Sequence, residues 1–331
     1  MKHPPYHLRA NKAVDRFLLI DILRKIWGGG DVPRATYYGF GGPFLEDHRL
    51  FDQYFPSIGL VCIESNSHTF QRQRFHRCNK RVRLLQTDFS SFISSIYEPG
   101  DVDVFWLDYT DNKYLRIAEF ASLLTRVNPG SIVKITLRAE SSDYPSEKTG
   151  CWLSEKAMSL LEASFIEEFI KEYDKTLPAR KIIPADFRVA NFPALIQEML
   201  RVASQQALPA NAGTQFQILH SCVYSDQTQM FSLTGVVSNT ADIPDILKRF
   251  SGWRFANTNW MPPIYIDVPV LSVKERLRLE ALVPNKLSSG KALARSLGYN
   301  IDNGGSHSEE KLRQYADFCR YYPMFAKVGV C

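Results

Sequence analysis

The sequence predicts an α/β fold built on an open, mostly parallel sheet that an antiparallel hairpin closes. Five short apolar runs between residues 35 and 138 alternate with segments of helical periodicity. Two longer β-prone runs follow at 216–224 and 229–238, and the polar turn 225–228 separates them. Alternating strands and helices imply parallel pairing with right-handed crossovers, whereas two runs joined by a short polar turn form a hairpin. These two patterns together define the fold class.

The first elements lead into a glycine-rich turn. Residues 11–27 have apolar side chains at helical spacing, with Asn11 as the expected N-cap. A strand over 35–40 then runs into the turn 39–42, which holds three glycines, and a helix is expected over 43–55. Closely spaced glycines let the backbone approach a ligand without interference from Cβ atoms. The turn is therefore a candidate ligand-binding turn.

The remaining elements of the α/β region follow the same alternation, and most strand candidates end at a polar residue. The expected strands are 59–63, 81–85, 102–107 and 131–138, and the expected helices are 67–80, 89–97 and 113–127.

We expect three regions in the chain. Residues 1–34 form a helical leader, and residues 35–240 form the α/β domain, which contains a helical insertion over 139–212. Residues 241–331 form a basic helical domain, because a proline-rich connector is followed by three segments of helical periodicity. The expected helices of these regions are 154–174, 193–206, 242–250, 272–282, 290–297 and 308–318.

Composition excludes several classes of protein. The 331 residues are 45% hydrophobic and 12% aromatic, as expected of a folded chain with a sizeable core. Apolar runs stay far below the roughly 20 residues needed to cross a bilayer, and the N-terminus has no apolar signal region. The six cysteines are scattered, without the spacing of a zinc site or a disulfide framework. We expect a cytoplasmic protein that does not bind membranes.

Two nucleotide-binding motifs are disfavoured. A dinucleotide fingerprint needs a small residue where this chain has Phe44, so NAD is not expected. The segment 288–291 has the serine, glycine and lysine of a phosphate loop, but Asn285 stands where the earlier glycine belongs.

Acidic residues follow three of the strand candidates: Glu64, Asp88 and Asp108. In an open α/β sheet the ligand crevice lies outside the carboxyl ends of the strands, so these side chains would converge on one site. The alternative is that each acid caps the helix after it, which is common at such positions. Convergence at successive strand ends favours the ligand site.

This strand-end pattern and the closing hairpin resemble class I S-adenosylmethionine-dependent methyltransferases, and the chain resembles bacterial proteins described as O-methyltransferases. The resemblance covers about residues 35–240 and implies S-adenosylmethionine as cofactor. It implies that the glycine turn packs on the methionine part of the cofactor. It implies further that Glu64 accepts the ribose hydroxyls, Asp88 and Phe89 adjoin the adenine, and Asp108 lies near the methyl group. The cofactor-binding residues implied are Gly39, Gly41, Gly42, Glu64, Asp88, Phe89 and Asp108.

The chain departs from the family at one position of the turn. Most members have an acid just before the first glycine, where this chain has Tyr38. Two hypotheses follow. The chain is a methyltransferase acting on a hydroxyl of a small molecule or a nucleic acid. Alternatively, it is a catalytically silent module that binds a protein or nucleic-acid partner, such as one in a bacterial defence or regulatory complex.

Methyl transfer often needs a base that takes a proton from the acceptor. We expect Asp108 to be this base and Tyr109 to orient the acceptor, with Asp111 or Lys134 as further candidates for the base. Metal-dependent O-methyltransferases carry an Asp-Asn pair after the fifth strand, whereas this chain has Arg138-Ala139-Glu140. A divalent metal is therefore not expected.

Two groups of cations are candidate contacts for a substrate or nucleic acid. Arg9 and Lys12 lie in the leader, which folds over the cofactor in many such enzymes. Arg72, Arg74 and Arg77 belong to a basic run with Phe75 and His76 among its cations, as nucleic-acid contacts require. A solvated helix face is the alternative for both groups.

Overall fold

The structure is a computed structural model that describes residues 9–28, 34–77, 79–141, 144–145, 154–283, 289–302 and 304–323. The chain forms two compact units. The larger unit comprises residues 22–223 and 228–264, and the smaller one comprises 1–21, 224–227 and 265–331. Residues 241–264, expected in the C-terminal domain, thus belong to the larger unit. Residues 1–8 and 324–331 of the expected leader and C-terminal domain lie outside the described residues.

Seven strands of the larger unit form one mixed sheet in the order β3-β2-β1-β4-β5-β7-β6. Strands β1 to β5 pair in parallel, and β7 pairs antiparallel with β5. The expected parallel sheet with a closing hairpin is confirmed. The bounds are β1 (Ala35–Gly39), β2 (Gly59–Ile63), β3 (Val82–Leu85), β4 (Val102–Asp108), β5 (Ile132–Arg138), β6 (Thr214–Ser225) and β7 (Gln229–Asn239). A short strand, β8 (Ile264–Ile266), lies where the chain passes to the smaller unit.

The helices follow the expected alternation with small shifts at their ends. In chain order they are α1 (Ala10–Trp27), α2 (Glu46–Tyr54), α3 (Ser67–His76), α4 (Phe89–Ser95), α5 (Tyr114–Leu124), α6 (Glu155–Tyr173), α7 (Phe192–Ala207), α8 (Ile243–Phe250), α9 (Val273–Glu280), α10 (Gly290–Leu297) and α11 (Gly305–Phe318). Both helices expected in the insertion, α6 and α7, are present.

The central strands β4 and β5 are buried on both faces, which explains their nearly continuous apolar sequences. On one face Phe105 and Ile135 belong to a core shared with Phe120 of α5 and Leu195 of α7. Each such side chain contributes about 1.5 to 3 kcal/mol by leaving water. This core holds the strands in place, so residues at their carboxyl ends have fixed positions.

Two helix starts differ from the expectation. α2 begins at Glu46 instead of residue 43, because Gly41, Gly42 and Leu45 all have positive φ angles, which a right-handed helix does not allow. α1 begins at Ala10, so Asn11 lies inside the helix and is not its N-cap. The carboxylate of Asp226, at the tip of the β6–β7 hairpin, accepts the Asn11 and Lys12 backbone N–H groups at 3.1 and 2.9 Å.

The smaller unit contains the helices α9, α10 and α11. α10 and α11 pack so closely that a Cβ atom at Gly290 would overlap the backbone carbonyl of Glu309. The Tyr322 hydroxyl donates to the Pro269 carbonyl and accepts the Leu271 N–H. It thereby joins the turn after α11 to the loop before α9.

Candidate functional site

The glycine turn lies between the ends of two neighbouring strands. Gly39, the last residue of β1, is paired with Cys62 of β2 and with Trp106 of β4. Glu64 and Asp108 each follow two residues after these partners, so they flank the turn at the same edge of the sheet. The strand order reverses between β1 and β4, which is where ligands bind in open α/β sheets.

The glycines of the turn are required by space and by backbone conformation. A Cβ atom on Gly39 would lie 2.5 Å from the hydroxyl oxygen of Tyr37, and one on Gly41 would lie 2.9 Å from His48 Nδ1. Gly41 and Gly42 also have φ angles of 66° and 51°. A side chain is therefore not tolerated at Gly39 or Gly41, and the backbone at the three glycines carries no Cβ atom.

The side-chain amide of Gln73 joins the turn to Glu64. Its Nε2 lies 3.0 Å from the carbonyl oxygens of both Phe40 and Gly42, and 3.4 Å from Glu64 Oε2. Three surrounding acceptors determine which end of the amide carries the NH₂ group. The other carboxylate oxygen, Oε1, accepts the Asn66 N–H at 2.7 Å. Burial raises the pKa of Glu64, and the backbone N–H groups of Asn66 and Ser65 partly oppose this rise.

Sequence reasoning missed Gln73. It lies between Arg72 and Arg74 and is the buried residue of α3. A lone glutamine within a run of cations carries no periodic signal, because α3 has no apolar stripe. The feature that distinguishes Gln73 is its place on the helix face opposite Phe75, and this becomes visible only when the position of the helix is known.

Asp88 is an exposed helix cap. Its carboxylate accepts the Ser91 N–H at 2.8 Å and the Ser91 hydroxyl at 2.7 Å, and these hydrogen bonds lower its pKa. Phe89 is buried, and its ring contacts that of Phe40 in the glycine turn at a centroid distance of 6.0 Å. The structure thus brings Phe89 to the turn and gives Asp88 a structural role, while its contact with adenine stays a prediction.

Asp108 and Tyr109 have different surroundings. Asp108 is half-buried at the end of β4. Tyr109 is buried, and its hydroxyl donates to Glu119 Oε2 at 2.7 Å. Burial and the Glu119 carboxylate raise the pKa of Tyr109 well above its usual range. The hydroxyl is therefore already engaged inside the protein, whereas the Tyr109 ring lies 5.2 Å from that of Phe40 and helps to support the turn.

The further candidates for the base have other contacts. The Asp111 carboxylate forms an ion pair with Arg116 at 3.0 Å. Lys134 is fully buried in β5, with its ammonium 4.8 Å from the centre of the Trp106 ring. At the end of β5, Arg138 pairs with Glu140 at 3.2 Å, and Glu140 also accepts the Gln229 N–H. The carboxylates of Asp111 and Glu140 are thus engaged in contacts within the protein.

The ring of Tyr38 is half-buried and packs against the core. It stacks on Phe105 with ring centres 4.6 Å apart and planes 7° apart, and it also contacts Phe92 and Tyr97. Burial, reinforced by nearby Asp103, raises the pKa of Tyr38 to about 12. A carboxylate at this position would lie among three aromatic rings, which is costly for a charge. The structure therefore explains why this chain has no acid here.

The two groups of candidate substrate cations belong to different units of the chain. Arg9 and Lys12 belong to the smaller unit, near Asp226. Arg72, Arg74 and Arg77 are exposed on and just after α3. The Arg72 guanidinium lies 5.0 Å from the centre of the Phe44 ring, which follows the glycine turn. The contacts of all five with a substrate stay predictions.

The strand order, the glycine turn and the acid beyond β2 define the fold of a class I S-adenosylmethionine-dependent methyltransferase. The chain belongs to the family described as "Putative O-methyltransferase", whose model matches residues 4–330. This membership confirms the resemblance and the expected cofactor class. No curated protein matches the sequence.

Several solved structures match the chain at low identity. A variant of LepI in complex with SAH and a substrate analogue is 11% identical, with a TM-score of 0.36 over 65% of this chain and 46% of that one. The S-adenosylmethionine-dependent methyltransferase SibL, in its apo form, is 14% identical, with a TM-score of 0.35 over 67% and 54%. The plantazolicin methyltransferase BpumL with SAH is 13% identical, with a TM-score of 0.33 over 68% and 85%. The matched part spans about half the length of LepI and SibL. Within the described residues no helix is both long and apolar enough to cross a membrane.

Proposed function

We propose that this protein transfers the methyl group of S-adenosylmethionine to an oxygen acceptor. The observation that carries the proposal is the hydrogen bonding of Gln73, which holds the glycine turn and the Glu64 carboxylate together at one edge of the sheet. Two elements that the fold class uses for the cofactor are thereby fixed relative to each other. The family description supports an oxygen acceptor.

The residues present fit this cofactor. The three glycines of the turn have no side chains, and their backbone would lie against the methionine part. Glu64 has a half-buried carboxylate at the end of β2, where it would accept the ribose hydroxyls. Phe40 and Phe89 would form an apolar wall for the adenine, with Asp88 at its rim.

The cofactor would supply an electrophilic methyl group on a sulfonium. Asp108, beside the turn, would take the proton of the acceptor hydroxyl as its oxygen attacks. Tyr109 would act through packing, because its hydroxyl is bound to Glu119. The acceptor is then a hydroxyl of a small molecule or of a nucleic acid.

Calorimetry with S-adenosylmethionine tests the proposal. The wild type should bind, and Glu64→Ala should weaken binding about tenfold or more, as loss of hydrogen bonds to a charged group does. Glu168→Ala, which removes an exposed carboxylate from α6, is the matched control and should bind like the wild type. Absence of binding, or binding that Glu64→Ala leaves unchanged, would reject the proposal and favour a catalytically silent module.

A further inference from the structure

α3 presents an unusual solvent face. Gln73 is its buried residue, and the large apolar side chain of Phe75 is 85% exposed. At 100° per residue, Phe75 lies 200° around the helix from Gln73 and so points away from the protein. Arg72 and Arg74 lie on its two sides. A single exposed aromatic residue is unremarkable in itself, but here it is centred between two cations.

The sequence around α3 carries charge of one sign, and within it Arg81 is paired with Asp52 of α2. Residues 65–87 contain six lysines and arginines and no acid. In the described part of the chain, Arg72, Arg74 and Arg77 have no carboxylate partner. The Arg74 guanidinium donates to Gln71 Oε1, and that of Arg77 donates to the backbone carbonyls of Asn79 and Lys80. Their positive charge is thus uncompensated.

A residue of α2 extends the same face. Arg49 is exposed and donates to the His76 carbonyl at 2.8 Å, which places its guanidinium at the end of α3. We call the set Arg49, Arg72, Arg74, Phe75 and Arg77 the α3 basic surface. Through Gln73 and the Arg72–Phe44 contact, this surface adjoins the glycine turn.

We propose that the α3 basic surface binds single-stranded nucleic acid. Its cations would bind the phosphates of a nucleic-acid backbone, and the exposed Phe75 ring would stack on one base. A duplex keeps its bases stacked and would leave Phe75 unused. A helix that binds an anionic membrane presents a whole apolar face, whereas Phe75 is a single exposed ring among cations. The proposal does not depend on methyl transfer, and its test is independent of cofactor binding.

Fluorescence anisotropy of a labelled oligothymidylate of about 15 nucleotides provides the test. We expect binding that weakens steeply between about 50 and 200 mM salt. Arg72→Ala combined with Arg74→Ala should reduce the slope of log K against log salt by about 1.4, since each phosphate contact contributes about 0.7 on a single strand. Phe75→Ala should weaken binding about fivefold or more at every salt concentration, because stacking is uncharged.

The matched control is Lys156→Ala combined with Lys171→Ala, which removes two exposed cations from α6. It should leave both the affinity and the salt slope unchanged. The proposal is overturned if the oligonucleotide does not bind at low salt, or if the α6 variant weakens binding as much as the α3 variant. It is also overturned if a duplex of the same length, or vesicles of anionic lipid, bind more tightly and are insensitive to Phe75→Ala.

Discussion

The side-chain nitrogen of Gln73 lies 3.0 Å from the carbonyl oxygen of Gly42, and this contact fixes the glycine turn to α3. The same nitrogen also lies near the Phe40 carbonyl and the Glu64 carboxylate. One buried amide therefore orders three acceptors at the edge of the sheet where the cofactor is expected.

Gln73→Leu should weaken S-adenosylmethionine binding about tenfold and destabilise the protein by about 1 to 3 kcal/mol, because it takes this donor from the Gly42 carbonyl and leaves the Phe40 carbonyl with the Cys62 thiol alone. Calorimetry and thermal denaturation measure the two effects. Gln71→Leu, on the exposed side of the same helix, should change neither by much. If both variants lose affinity equally, Gln73 does not position the turn.

Gly39→Ala should destabilise the protein by about 1 to 3 kcal/mol through overpacking and should impair cofactor binding. The added Cβ would lie 2.5 Å from the Tyr37 hydroxyl oxygen, and the buried Tyr37 ring is stacked on Phe51 and cannot easily move. Adding Tyr37→Phe removes that oxygen and should restore part of the lost stability. The recovery should be incomplete, because the ring carbon that carried the oxygen would still lie 2.9 Å from the added Cβ atom. A double variant no more stable than Gly39→Ala would contradict this explanation.

Cofactor binding should weaken as the pH falls, starting at a higher pH than an ordinary glutamate would produce. Burial raises the pKa of Glu64, and only the ionised carboxylate accepts both ribose hydroxyls. By the same linkage, ionised Glu64 costs folding free energy above that raised pKa, so Glu64→Gln should slightly stabilise the ligand-free protein at neutral pH. Calorimetry across pH should show a flatter profile for Glu64→Gln, and an unchanged profile would assign the effect to another group.

Asp88→Ala should destabilise the protein by about 1 kcal/mol, as loss of a helix cap does. Asp88→Asn keeps a capping oxygen and should retain most of the stability. In the wild type, the pKa of Asp88 is lowered, so the charged cap stabilises the protein at neutral pH. This contribution is lost as the pH falls through the lowered pKa. If both variants bind S-adenosylmethionine like the wild type, Asp88 is a cap alone and does not contact the adenine.

Asp108→Asn should lower turnover about 100-fold or more, as removal of a general base does, and should weaken cofactor binding less than Glu64→Ala does. The measurement is SAH release with any acceptor that supports turnover by the wild type. Asp111→Asn, whose carboxylate pairs with Arg116, serves as the control and should retain turnover. Equal losses in both variants would argue against Asp108 as the base.

The sheet could be predicted from the sequence because each strand combines a buried apolar run with a polar end. The positions of Gly39, Glu64 and Asp108 follow from that pattern and from parallel register. The start of α2 could not be predicted, because Pro43 is typical of a first helical position and nothing in the sequence signals the left-handed conformation of Leu45.

The side-chain roles were less accessible than the strand ends. Whether Asp88 caps a helix or meets a ligand depends on the placement of Ser91, and both roles use the same residue type. The Tyr109 hydroxyl is committed to Glu119, ten residues later along the chain, through a contact that only the packing of α5 creates. Tyr38 is marked in the sequence as a departure, and its stacking on Phe105 supplies the reason.

The carboxylate of Asp226 that receives the first N–H groups of α1 comes from more than 200 residues further along the chain. The N–H groups of Asn11 and Lys12 cannot gain this partner until the β6–β7 hairpin has been synthesised and has folded, whereas the Ala13 N–H closes the turn locally on the Arg9 carbonyl. Contacts between residues so distant in sequence slow folding, because a long loop must close before they form. The cap on the N-terminal turn is therefore expected to form late, after most of the chain has left the ribosome.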